Sequence, residues 1–214
     1  LGRVLAPLFA RYRDNPRVMS WEIFNEPEWQ IWNKPEVTET DTTAMASAII
    51  ASLRDAAPFT LATVGSAVIG SYNGQTTAGM AMWKNVDLDF YSPHWYDQQV
   101  DPQSVCALCT DAPSLQALYG TIKPIVIGES DPEGCAACRG PQNGYRNGTM
   151  YSSYTAASFA RKHDLADKHG VNFEVALTWA FEFENEPFFA GFRVLASNCI
   201  EHTLLNVFRI FPHV

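Results

Sequence analysis

Two short apolar runs in this chain each end at a glutamate. The first covers residues 19–24 and leads into Asn25-Glu26-Pro27, and the second covers residues 124–128 and leads into Glu129. Apolar runs of this length are typical of strands in a parallel sheet whose two faces are both covered. Proline lacks the N–H that a ladder needs, so Pro27 ends the first strand just after the acid.

The rest of the chain alternates predicted strands and helices. The strands are predicted at about 19–25, 59–65, 88–94, 124–129 and 173–179, and the helices at about 4–13, 42–57, 112–119, 155–169 and 204–211. Asp41 or Thr42 is the predicted N-cap of the second helix, and residues 28–32 are predicted as loop. This order predicts the α/β class, with a parallel sheet covered by helices. A (β/α)8 barrel is favoured over a doubly wound sheet, because no glycine-rich nucleotide turn follows the first strand.

Composition limits the partners that the chain can have. Its 214 residues are 47% apolar and contain no interdomain linker, which predicts one domain over residues 1–214. The formal charge of −8 argues against nucleic acid or an anionic membrane surface as partner. No apolar run approaches the roughly 20 residues of a membrane span.

The spacing of the two glutamates fits one active site. Barrel units take roughly 30 residues each, so Glu26 and Glu129 would end strands that lie three apart. Active sites of barrels lie at these carboxyl ends of the strands. Retaining glycosidases hold two carboxyl groups about 5–5.5 Å apart, one as acid/base and one as nucleophile. The sequence therefore predicts Glu26 and Glu129 as a catalytic pair that needs neither cofactor nor metal.

Four further residues are predicted to bind the substrate. His94 and Tyr96 share a face at the end of the strand between the two glutamates. His94 would bond a sugar hydroxyl or orient the acid, and Tyr96 would orient Glu129. Asn25 would bond the sugar 2-hydroxyl, and Trp179 at the end of the last strand would stack on a sugar face.

These motifs resemble glycoside hydrolase clan A, the retaining (β/α)8 glycosidases. In that clan the fourth strand ends in Asn-Glu, as at Asn25-Glu26, which implies that Glu26 is the acid/base. The seventh strand ends in the nucleophile, which matches Glu129, while His94-x-Tyr96 matches the sixth strand and Trp179 the eighth. The resemblance implies that the chain is a barrel fragment holding strands 4 to 8 and lacking strands 1 to 3. Such a fragment is expected to be poorly active alone and to expose unpaired strand edges.

The resemblance divides between two families. The segments of strands 4, 6 and 7 look like the cellulase and mannanase family 5, whereas residues 178–193 and 205–209 look like the β-xylosidase family 39. The implied substrate is a β-linked polysaccharide or oligosaccharide, cleaved by an endo-β-glucanase or mannanase, with an exo-acting β-xylosidase as the alternative. A non-catalytic carbohydrate-binding barrel or an inactive fragment is the alternative of another class.

Cysteines and tryptophans supply the remaining expectations. Cys106-x-x-Cys109 and Cys135-x-x-Cys138 suit either a zinc site or disulfides, and disulfides fit a secreted or periplasmic enzyme. Cys199 is predicted as a buried free thiol. A second Asn-Glu-Pro, at 185–187, is interpreted as a look-alike because no strand precedes it. Sugar subsites are expected among four tryptophans, namely Trp29, Trp32, Trp83 and Trp95.

Overall fold

A computed structural model gives the fold of most of the chain. It describes residues 1–67, 82–97, 123–132, 149–178, 195–196, 200–201 and 204–210. These residues fall into two compact units, each described by itself. The first unit contains residues 1–67, 82–94, 123–127 and 172–175, and the second contains the other described residues.

Strands and helices alternate along most of the described chain. The helices are α1 (Leu5–Tyr12), α2 (Glu28–Asn33), α3 (Glu39–Ala56), α4 (Thr149–His169) and α5 (Leu204–Ile210). The strands are β1 (Ser20–Asn25), β2 (Leu61–Ser66), β3 (Ser92–Asp97), β4 (Ile125–Pro132), β5 (Phe173–Thr178), β6 (Leu195–Ala196) and β7 (Ile200–Glu201).

Five strands form one parallel sheet in sequence order, from β1 to β5. This confirms the predicted α/β class and the five predicted parallel strands. Among the described strands, β1 pairs with β2 alone and β5 pairs with β4 alone. A separate antiparallel pair, β6 and β7, was not predicted, because two-residue strands leave no periodic signal.

The core of the first unit lies between β2 and α3. Ala62 and Val64 on β2 are fully buried, and Ile50 and Leu53 of α3 are buried with them. Burying one such aliphatic side chain contributes about 1.5–3 kcal/mol, which favours apolar residues at these positions. The chain entering β1 is fixed by α1, whose buried Phe9 packs edge-to-face on Trp21 at 5.0 Å.

An ion pair fastens the end of α3 to the segment before β3. The Arg54 guanidinium donates to Asp89 at 2.7 Å and to the Thr60 carbonyl at 3.0 Å, while the Ala62 N–H donates to the same Asp89 carboxylate at 2.6 Å. Burial lowers the pKa of Arg54, but the hydrogen bond and charge of Asp89, followed by those of Asp87, raise it overall. Arg54 therefore keeps its charge beside the sheet.

The second unit is held by its own apolar cluster. Phe159 of α4 packs with Leu204 and Val207 of α5, and Phe208 tilts against the Phe159 ring at 5.8 Å. Gly170 has φ +65, a left-handed conformation that ends α4 as the sequence predicts. No helix among the described residues is long and apolar enough to cross a membrane.

Three local predictions differ from the structure. Residues 28–33 form α2 rather than a loop, because Pro27 with φ −65 stands where a helix starts. The N-cap of α3 is Thr38, whose Oγ1 accepts the Asp41 N–H at 3.1 Å, so the predicted caps Asp41 and Thr42 are wrong. Strand β3 starts at Ser92 rather than near residue 88, because the Asp89 side chain takes the place of a ladder acceptor opposite Ala62.

Some predictions fall on residues outside those described. They include the helix at 112–119, the five cysteines and the Asn-Glu-Pro at 185–187. The prediction of one domain over residues 1–214 stays a prediction.

Candidate active site

Glu26 lies immediately after β1, at the point where the chain reverses into α2. Its φ of 46 makes it the one non-glycine residue with positive φ among those described. The Glu26 N–H donates to the Gly65 carbonyl at 2.8 Å, so the backbone is tied to the neighbouring strand β2. Backbone strain of this kind concentrates at functional sites, where the surrounding structure holds it in place.

The carboxyl group of Glu26 is held at both oxygens. Oε1 lies 2.7 Å from Nδ1 of His94, and Oε2 accepts the indole N–H of Trp29 at 2.8 Å. The His94 side chain is 1% exposed and that of Glu26 is 20% exposed. A fixed, buried imidazole and an indole thus orient a carboxyl group that solvent and ligands can still reach.

His94 therefore contacts the predicted acid, and its role in orienting that acid stays a prediction. The prediction from sequence also placed Asn25 beside the acid, and the structure puts Asn25 at the exposed end of β1. There Asn25 borders an open cavity of about 430 Å³ with Phe24, Val37 and Met45. Its contact with a sugar 2-hydroxyl stays a prediction.

A third acid, Glu22, lies on β1 four residues before Glu26 and was not identified from the sequence. Ser92 Oγ donates to Glu22 Oε2 at 3.1 Å. A Cβ on Gly65 would lie 2.7 Å from His94 Nε2 and 2.8 Å from Glu22 Oε1, closer than real Cβ atoms approach such atoms. Glycine at position 65 is therefore what leaves room for both side chains. The sequence signal that could have identified Glu22 is an acid within an otherwise apolar strand.

A fourth acid, Glu28, is fully buried and was also missed. Its carboxyl group accepts hydrogen bonds from Ser66 Oγ, from the Ala67 N–H at 3.2 Å and from the Trp83 indole at 3.3 Å. These bonds anchor the start of α2 to the end of β2. Since α2 carries Trp29, Glu28 also fixes the indole that holds Glu26. The amino-acid sequence around Glu28 does not distinguish it from a solvent-exposed glutamate.

The β1–β2 pairing contains an irregularity just before Glu26. Glu22 pairs with Thr63 but Asn25 pairs with Gly65, so β1 has one more residue than β2 over this stretch. Such bulges re-aim the side chains that follow them. Here the extra residue precedes the reversal at Glu26.

Aromatic residues near Glu26 divide into exposed and buried. Trp29 and Trp32 are 51% and 44% exposed, and their rings meet edge-to-face at 5.0 Å. Trp83 is only 1% exposed, so it packs in the core instead of offering the predicted sugar platform. Tyr91, immediately before β3, is buried, and this burial raises its pKa to about 12.

The other predicted site residues lie on later elements. Glu129 is on β4, two residues beyond the buried Ile127, and is half-buried. The next residue, Ser130, is buried, and its carbonyl accepts the Thr178 hydroxyl at 3.2 Å. Tyr96 is on β3, two residues after His94. Trp179 and the side chain of Trp95 lie outside what the structure describes.

Comparisons with known proteins show the fold. No protein-family profile matches the sequence, and no curated protein sequence matches it. Among solved structures the chain is similar to the β-mannanase of the blue mussel Mytilus edulis, with 16% identity and a TM-score of 0.56, covering 83% of this chain and 53% of that one. It is similar to the endo-glycoceramidase II of Rhodococcus sp., with 16% identity and a TM-score of 0.57, covering 95% and 44%.

A third similar structure is the glycoside hydrolase family 5 mannosidase of Rhizomucor miehei, with 16% identity and a TM-score of 0.55, covering 94% of this chain and 52% of that one. At this identity the likeness shows the fold alone. The chain spans about half the length of these structures. The likeness agrees with part of a (β/α)8 barrel, and the resemblance of the C-terminal segments to family 39 stays a prediction.

Proposed function

We propose that this chain carries the acid/base and nucleophile of a retaining glycoside hydrolase that cleaves β-linked sugars. The observation that carries the proposal is the carboxyl group of Glu26, which is held by His94 and Trp29 and remains 20% exposed. A general acid must be fixed within hydrogen-bond reach of the bond it protonates and must still be accessible to substrate. The two contacts and the partial exposure of Glu26 support this role.

The first half of the proposed reaction forms a covalent intermediate. Glu129 attacks the anomeric carbon, the bond from that carbon to the leaving oxygen breaks, and Glu26 gives its proton to that oxygen. Trp29 and His94 keep the Glu26 carboxyl oriented while its charge changes, since each holds a different oxygen.

The second half releases the sugar. Water attacks the anomeric carbon, Glu26 takes the proton of that water, and the bond from carbon to Glu129 breaks. Glu26 is then protonated again and Glu129 is again a carboxylate, so the two steps balance without a cofactor.

An extended β-linked chain is the substrate class we propose. Trp29 and Trp32 expose indole faces beside Glu26, and flat aromatic surfaces stack on the C–H faces of pyranose rings. Two of the similar structures are named for action on mannose-containing substrates, which favours a mannan or glucan backbone. Exposed aromatics next to the acid favour cleavage within a chain over cleavage at its end.

Azide rescue in the full-length protein tests both assignments. Glu26→Ala is expected to lower kcat on a β-glycan by about 100-fold or more, as loss of a general acid does. Azide should restore activity on an aryl glycoside and give the β-glycosyl azide. Glu129→Gly should abolish turnover, and azide should then give the α-glycosyl azide.

The control is Glu174→Gln, which changes an exposed glutamate on β5 and is expected to leave kcat unchanged. Equal activity of Glu26→Ala and this control would refute the assignment of Glu26. If wild-type protein binds β-glycans but none of the proteins turns them over, the non-catalytic carbohydrate-binding alternative is correct.

A further inference from the structure

The short helix α2 is anchored by a polar side chain. Of its six residues Glu28 alone is buried, and its side chain is fully enclosed. A helix of this length is marginal by itself in water, so contacts with the rest of the protein must fix its position. Glutamate is among the residues least often buried, and an apolar side chain is the usual anchor. The position of α2 therefore depends on what the Glu28 carboxyl group contacts.

That carboxyl group joins α2 to two other segments of the first unit. It accepts hydrogen bonds from Ser66 Oγ, in the last residue of β2, and from the Ala67 N–H at 3.2 Å. It also accepts the indole N–H of Trp83 at 3.3 Å, from a side chain that is itself buried. The start of α2 is thus tied to the end of β2.

The end of β2 also holds the proposed acid. The Gly65 carbonyl accepts the Glu26 N–H at 2.8 Å, and the next two residues of the chain are the ones that bond Glu28. Trp29 follows Glu28 on α2 and donates its indole N–H to Glu26 Oε2 at 2.8 Å. One strand end therefore sets both the acid and the helix that carries its indole donor.

We propose that Glu28 is a positioning residue that holds the Trp29 indole at the Glu26 carboxyl group. Its catalytic part rests on the proposed function, in which Glu26 gives and takes a proton. Glu28 itself contacts none of the reacting atoms, because its carboxyl group is buried among Ser66, Ala67 and Trp83. Its effect on turnover passes through Trp29, so that effect should disappear when the Trp29 N–H is absent.

The contact between Trp29 and Glu26 can be measured without turnover. In proton–nitrogen-15 spectra of the full-length protein, the Trp29 indole N–H signal is assigned by its loss in Trp29→Phe. Glu26→Ala removes the acceptor and gives the position of the unbonded signal. Glu28→Gln should move the signal toward that position, because its amide cannot satisfy all three donors. Glu174→Gln, the same substitution at an exposed glutamate on β5, should leave it in place.

Ser66→Ala is a second variant that reaches α2 from the other side. It removes one donor from the Glu28 carboxyl group and leaves every residue of α2 unchanged. The Trp29 signal should move in the same direction as in Glu28→Gln. The spectroscopic test therefore does not depend on whether Glu28→Gln folds.

A double-mutant cycle on kcat tests the route of the effect. On an aryl β-glycoside, Glu28→Gln should lower kcat by about 3–10-fold, and no more than Trp29→Phe does. In the Trp29→Phe background the same substitution should change kcat by less than about 2-fold. Glu174→Gln should leave kcat unchanged in both backgrounds.

The outcomes separate the positioning role from the proposed function. A loss of kcat by Glu28→Gln that persists in the Trp29→Phe background would overturn the proposal, because Glu28 would then act by another route. A wild-type Trp29 signal in both Glu28→Gln and Ser66→Ala would overturn it too, and so would a shifted signal with unchanged kcat. A shifted signal together with full turnover by Glu26→Ala would leave the anchoring of Trp29 supported and refute the proposed function instead.

Discussion

The buried carboxyl group of Glu28 gives the sharpest stability prediction for this protein. Glu28 is 0% exposed and accepts hydrogen bonds from Ser66 Oγ, the Ala67 N–H and the Trp83 indole. Glu28→Ala removes the acceptor that these three donors share. Each unsatisfied buried donor costs about 1–3 kcal/mol, but water entering the new space offsets part of this.

The expected net loss for Glu28→Ala is about 3–5 kcal/mol in the free energy of unfolding, because the cost at three donors is partly offset by water. Glu28→Gln keeps the volume and one acceptor oxygen, but its amide N–H₂ cannot accept from the Ala67 N–H. Its expected loss is about 1–3 kcal/mol. Glu28→Ala should lose more free energy of unfolding than Glu28→Gln, because it removes the acceptor of more donors.

Urea unfolding of the full-length protein, followed by tryptophan fluorescence, measures both losses. With a slope of about 1–3 kcal/mol per molar urea, Glu28→Ala should lower the midpoint by about 1–5 M. The control is Glu36→Gln, which makes the same substitution as Glu28→Gln but at an exposed glutamate. Its free energy of unfolding should stay within about 0.5 kcal/mol of wild type. If Glu28→Ala unfolds at the same urea concentration as this control, the reasoning about Glu28 is refuted.

Three further substitutions test other contacts. Gly65→Ala puts a methyl group against His94 Nε2 and should cost about 1–3 kcal/mol and lower activity, whereas Gly2→Ala, with nothing within 4 Å, should change neither. Trp29→Phe removes the N–H that Glu26 accepts and should lower kcat about 10-fold, and an unchanged kcat would show that the bond has no role in turnover. Burial raises the pKa of Tyr91 from 10.0 to about 12, so the stability it contributes is complete below pH 10 and is lost as the pH rises toward 12. Tyr91→Phe should abolish that loss, up to about 2–3 kcal/mol, in urea unfolding between pH 9 and 12; equal alkaline losses in both proteins would contradict it.

Local patterns in the sequence were sufficient to predict the sheet. Apolar runs bounded by proline or glycine, such as Pro27 after β1 and Pro58 before β2, mark strands regardless of what surrounds them, since ladder hydrogen bonds and turn chemistry act over a few residues. The predicted strands agree with the five observed to within a few residues. The largest shift, at the start of β3, comes from Asp89, whose side-chain bond to a distant backbone N–H no local pattern reveals.

The contacts of the acidic residues were only partly predictable. Glu26 was predictable, because an acid and a proline directly after an apolar strand indicate an exposed strand end. Glu22 and Glu28 were not predictable, because their roles depend on partners 38 to 70 positions away along the chain, such as Ser66 at 38 and Ser92 at 70.

The sequence by itself determined the order of strands and helices, the parallel sheet and the acid at the end of β1, because periodicity and strand-ending residues are local properties. Only the tertiary structure decided which side chains meet that acid. His94 reaches Glu26 across two ladders, and Gly65 leaves the space that both His94 and Glu22 enter. Those contacts depend on strand register and on the bulge in β1, where one extra residue redirects every side chain that follows.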